Sequence, residues 1–180
     1  MLEINIPAVE LFDDASQRFV YSGGANLQLE HSLASLSKWE SKWEKAFLGP
    51  GQRTTEEVVD YIRVMNQTPG VDPEVFNNLT PAQMSVIDTY MNAKMTATWF
   101  NEEKRKGPAR EIITAELIYY WMTAHNIWLE CQHWHLNKLL TLIKVHNQKS
   151  QPEKKRSPRE IMEERRRLND QRLKQHGTTG

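Results

Sequence analysis

Cysteine is almost missing from this 180-residue chain: Cys131 stands alone, so no intramolecular disulfide can form and the fold depends on packing. That usage fits a reducing compartment. No apolar run approaches the roughly 20 residues needed to cross a bilayer. The start, Met1-Leu2-Glu3-Ile4-Asn5, lacks the basic-then-apolar layout of a signal peptide, so the expectation is a protein that stays where it is made. Phosphate-cradling glycine motifs are absent, since Gly49-Pro50-Gly51 is not followed by Lys and Ser or Thr. No serine sits on a glycine-flanked elbow. Net charge is also missing: 23 Lys and Arg balance 23 Asp and Glu.

That balance hides an asymmetry. Residues 149–180 hold ten Lys or Arg against five acids, so this tail is +5 and residues 1–148 are −5. With 39% hydrophobic residues and six tryptophans, the chain has material for a core in one domain of ordinary size, plus an appendage.

Leu2, Ile4 and Ile6, then Phe19 and Tyr21, then Leu27 and Leu29 alternate in the manner of half-buried strands. Asp13–Ser16 and Gly23-Gly24 offer turns between them. The pattern predicts a small antiparallel β-meander over residues 1–31. From Ser32, a side chain able to cap a helix, Leu36, Trp39, Trp43 and Phe47 recur at helical spacing up to Gly49-Pro50-Gly51. Thr54 with Glu57, and Thr80 with Gln83, each predict a reciprocal capping box. Asp72-Pro73 and Thr80-Pro81 place proline at a first helical position. Met95–Phe100 reads equally as a strand or an extended apolar segment, and residues 101–108 as an exposed loop. Ile113, Leu117, Tyr120, Trp121 and Ala124 form one helical stripe, and Leu129, Leu136, Leu139, Leu140 and Ile143 another. Joined by a short break at residues 125–127, these predict a central antiparallel helical hairpin over 110–147. Residues 148–180 read as a linker and a mobile basic helical arm, because too few apolar residues are present to dock it.

Ligand-type side chains are densest at Glu130, Cys131, His133 and His135. Their spacing matches neither the two-histidine helix motif of zinc proteases nor a paired-cysteine ribbon. The expectation is therefore no metal and no cofactor, with Cys131 a small core residue and the histidines at a helix edge. Adjacent acids such as Asp13-Asp14 and Glu56-Glu57 are explained by turns and helix starts, and no catalytic residue is expected. Most tryptophans should be core. Trp128 opens a segment just after the break, where a surface aromatic can anchor an interface. Arg165, Arg166 and Arg167 give the arm a second place for a partner, although Glu163, Glu164 and Asp170 cancel much of the potential a nucleic acid would need.

Three stretches carry a resemblance: Leu2-Glu3-Ile4-Asn5-Ile6-Pro7-Ala8-Val9-Glu10-Leu11-Phe12-Asp13, Leu27–Leu33 with Ser37-Lys38-Trp39-Glu40, and Glu116–Met122 through Trp134–Ile143. Over residues 1 to about 147 the chain resembles small proteins of tailed-bacteriophage structural gene clusters, the tail assembly chaperones. The resemblance implies a non-catalytic protein of the host cytoplasm that binds the tape measure protein and keeps it soluble until tail-tube protein replaces it. It also implies that the C-terminal extension arises by ribosomal frameshifting, with Lys154-Lys155 as a place for an A-rich slippery stretch.

The reading is thus an α+β fold: the meander packed on a helical domain of residues 32–147, followed by the arm. Its function is tail assembly chaperoning. The rival readings are a virion structural or head–tail connector component and a nucleic-acid-binding regulator that uses the arm.

Overall fold

In a computed structural model, which describes residues 1–13, 17–100 and 112–150 together with residues 162, 163, 165, 166 and 169, the alternating N-terminal residues form four strands. These are β1 (Leu2–Ile6), β2 (Val9–Asp13), β3 (Arg18–Ser22) and β4 (Ala25–Leu29). β1 pairs antiparallel with β4, Leu2 opposite Leu29 and Ile6 opposite Ala25, while β2 pairs with β3, Val9 opposite Ser22 and Asp13 opposite Arg18. The two ladders are nested in one ribbon, where a meander would pair each strand with the next. Alternation fixes the face a residue takes but not the strand it pairs with. The ribbon is interrupted at Pro7-Ala8 opposite Gly23-Gly24, where proline has no N–H to donate. A Cβ on Gly24 would lie 2.6 Å from Ala8 N and 2.7 Å from Ile6 O, so only glycine permits this approach.

Ile4, Ile6, Leu27 and Leu29 bury the inner face of the ribbon. The free side of β4 is taken up by the chain after the second helix. Glu30 N–H donates to Met65 O (3.0 Å), Gln67 N–H to Gln28 O (2.8 Å) and Gln28 N–H to the Thr68 hydroxyl (2.9 Å), which itself donates to Asn26 O (3.3 Å).

Five α-helices follow: α1 (Leu33–Trp43), α2 (Thr55–Met65), α3 (Pro81–Asn92), α4 (Ala115–Ala124) and α5 (Leu136–Ser150). Ser32 caps α1 by accepting Ser35 N–H at 3.2 Å. α1 ends at Glu44, in the left-handed conformation at φ 52°, well before the expected Gly49-Pro50-Gly51. Phe47 is still buried, because its N–H donates to the Glu40 carboxylate (2.8 Å) and its ring stacks on Tyr61 (3.8 Å) and meets Trp39 edge-on (5.0 Å). Both capping boxes form as read: Thr54 with Glu57 opens α2, and Thr80 with Gln83 opens α3. Between these helices Asp72 and Pro73 start a 3-10 helix, Pro73–Asn78, that buries Val75 and Phe76. Met95–Phe100 forms neither helix nor strand, and the expected loop over residues 101–108 lies outside the described residues.

The α+β class is as expected, and the helical centre differs. α1 lies against α2, α4 and a second 3-10 helix, Leu129–His133, which makes α1 the hub. That 3-10 helix separates α4 from α5, so their joint is not a short break. His125 at the end of α4 meets His146 near the end of α5, ring centroids 5.6 Å apart, whereas a tight antiparallel hairpin would bring the end of one helix to the start of the next. The buried residues of α4 are Ala115, Ile118 and Met122, and Tyr120 is exposed, so the stripe is turned from the one expected.

The chain divides into a unit Met1–His146 and a unit Asn147–Gly180. Among the described residues no helix is long and apolar enough to cross a membrane.

Candidate partner-binding surface

The segment after α4 is shaped by backbone first. Asn126 takes a left-handed conformation at φ 52°, Ile127 N–H returns to Met122 O (2.8 Å), and Trp128 is extended before the 3-10 helix Leu129–His133 begins. That helix is pinned from three sides. Cys131 is buried, as read from the sequence. Gln132 accepts the Tyr119 hydroxyl at 2.8 Å. His135 bridges to Ser32, and Leu136 N–H donates to His31 O at 2.7 Å. The pinned helix turns Trp128 and Leu129 outward, at 79% and 60% exposure.

Trp128 differs from the other tryptophans in what surrounds its ring. Trp39 packs on Trp43, Phe47 and Tyr61. Trp43 donates to Asp60 at 2.8 Å. Lys94 covers Trp99, Lys138 covers Trp134, and Trp121 is half-buried against the core. Among the described residues nothing stacks on Trp128. Leu129 and Tyr120, the latter 66% exposed on α4, were read as buried stripe residues. The 3-10 segment breaks the 3.6-residue period that suggested this; the true start of α4, capped by Thr114, was the signal that would have rephased it.

The four ligand-type residues do not converge. Glu130 and His133 are exposed, while Cys131 and His135 are buried. His135 therefore departs from the expected helix edge. Its Nε2–H donates to Tyr90 O at 3.1 Å, its Nδ1 accepts Asn137 N–H at 3.3 Å, and burial first of all lowers its pKa, against the favourable carbonyl contact. Its ring meets His31 at 5.4 Å, and His31 is pushed down to about 4 by burial and then by the neighbouring His135. Among the described residues no group of three His, Cys, Asp or Glu is placed to hold a metal ion.

The buried carboxylates serve the fold. Glu57 accepts from Lys45 and from Thr54 N–H, which hold it below the usual range. Asp60 accepts from Lys42 at 2.6 Å and from Trp43; burial raises its pKa, but these donors outweigh it and leave it lowered. In the other unit, Arg165 and Arg166 are helical and exposed, and Arg167 lies outside the described residues, as does most of the arm.

No protein-family model, curated protein or solved structure matches the chain.

Proposed function

We propose that the chain is a tail assembly chaperone of a tailed phage, acting in the host cytoplasm by reversible binding of the tape measure protein and catalysing no reaction. The observation that carries the reading is Trp128-Leu129, turned outward on a 3-10 helix fixed by Cys131, Gln132 and His135. A tryptophan on a pinned backbone has only two side-chain torsions to fix on binding. Covering a tryptophan removes roughly 200 Å² from water, worth about 5 kcal/mol before the costs of association. Glu130 and His133, exposed beside the pair, supply a polar rim. The resemblance of residues 1–147 to phage tail assembly chaperones supplies the partner. A tape measure protein is long and helical, with apolar stretches that need cover.

Co-expression with the tape measure protein of the same genome tests the proposal. The expected result is a soluble complex that co-purifies, and its loss in Trp128→Asp. Failure of the native chain to co-purify or to raise solubility counts against it. Stoichiometric recovery of the chain in finished particles would replace chaperoning with a structural or connector role.

A further inference from the structure

A cavity of about 400 Å³, which Trp128 does not line, opens between α2, α3 and the segment after α1. Small-ligand pockets run from roughly 300 to 1,000 Å³. Phe47, Ile62, Ile87 and Met91 give it an apolar wall, and His31, Arg53 and Asp88 are among its polar lining.

His31 is only 3% exposed, with Nδ1 2.6 Å from the Tyr61 hydroxyl. Burial pushes the ionisation of Tyr61 far above the ordinary phenol range, so the hydroxyl stays neutral and shares one hydrogen bond with Nδ1, its direction set by the His31 tautomer. His31 Nε2 makes no hydrogen bond among the described residues and is not among the fully buried atoms left without a partner, so it keeps access to the cavity.

Arg53 is tethered to the same wall, its guanidinium 4.4 Å over the Phe47 ring, and it makes no ion pair among the described residues. Its charge is felt at the Tyr61 hydroxyl, after burial and the opposing charge of Glu40. Asp88 lines the cavity too, but it is exposed on α3 and nothing described holds its carboxylate. The fixed polar lining thus comprises the Arg53 cation, the His31 ring and Asn137, whose amide N–H groups are spent on Met91 O and Ala93 O.

We propose that this cavity binds a small organic anion with an apolar body, its carboxylate taken by Arg53 and by His31 in the tautomer that carries its proton on Nε2, and its hydrocarbon by Phe47, Ile62 and Ile87. The site stands apart from the Trp128 surface and does not depend on the chaperone reading.

Titration of the full chain, followed by amide NMR, with hydrocinnamate, hydrocinnamyl alcohol and phenethylamine tests it. Hydrocinnamate should saturate one site in the millimolar range or tighter, moving resonances of the lining residues. The alcohol should bind about tenfold more weakly and the amine not measurably. Arg53→Gln, a change at an exposed side chain, should lower hydrocinnamate affinity about tenfold at unchanged melting temperature. Trp128→Ala should leave that affinity alone. Lack of saturable hydrocinnamate binding overturns the proposal, and so does equal binding of acid and alcohol, indifference to Arg53→Gln, or a preference for the amine that Asp88→Asn removes.

Discussion

Glu40 on α1 accepts the N–H of Ala115, the first residue of α4, at 2.7 Å, across 75 positions of sequence. Its other oxygen accepts Phe47 N–H. One buried carboxylate thus ends one helix and begins another, beside the positive end of the α4 dipole.

Removing it leaves two buried N–H groups without an acceptor. Glu40→Ala is expected to lower unfolding stability by about 3 kcal/mol, and Glu40→Gln, which keeps one oxygen, by about half of that. Urea denaturation measures both. A loss under about 0.5 kcal/mol for the alanine variant would show that water replaces the carboxylate freely.

Stability should decline on mild acidification. His31 titrates at about 4 in the folded chain and near 6.5 when unfolded, and His135 is lowered as well, burial being the leading cause for both. Between those values the unfolded chain binds protons that the folded chain excludes, so acidification through that window favours unfolding, by up to about 3 kcal/mol for His31. Glu57 and Asp60, both lowered, stabilise the fold above their unfolded range near 4 and stop doing so as pH falls through their lower folded values. Urea midpoints between about pH 7 and pH 5 check this, and His31→Gln should flatten the slope. A native midpoint that does not move across that interval contradicts the assignment.

Two tryptophans should respond in opposite ways. Trp39, 1% exposed and donating its Nε1–H to Glu57 O at 2.9 Å, should cost about 4 kcal/mol on change to alanine. Trp128→Ala should cost under about 0.5 kcal/mol and act on partner capture alone. A large loss of stability in Trp128→Ala would remove it from the interface.

Gly23 and Gly24 are adjacent, yet only one resists a side chain. Nothing lies within 4 Å of a Cβ at Gly23, whereas one at Gly24 meets Ala8 and Ile6 backbone below 3.0 Å. Gly24→Ala should destabilise by about 2 kcal/mol, and Gly23→Ala should be neutral or stabilise by a few tenths, about 0.4 kcal/mol. Thermal melts of the pair decide it, and equal effects would mean that the ribbon crossing is looser than described.

What sequence reveals here follows the range of each interaction. The Thr54–Glu57 and Thr80–Gln83 boxes are local, four residues closing on themselves, and both were legible. The outward position of Trp128 was legible because the helical pattern is interrupted at residues 125–127, just before it. The end of α1 was not, since Phe47 is secured by the Glu40 side chain and not by helical hydrogen bonding. The inward turn of His135 was not either: it is set by Ser32, Tyr90 and His31, which no window along the chain brings together. Ladder order failed for the same reason, because the partner of β1 lies beyond the whole of β2 and β3.

The occupied margin of β4 has a consequence for handling the protein at high concentration. Asn26 O, both Gln28 backbone groups and Glu30 N–H are already engaged by residues 65–68, and Gln83 donates to Asn5 O from the β1 side at 2.8 Å. A strand arriving from another molecule meets spent donors and acceptors, so crowded copies are denied this route to cross-β fibres.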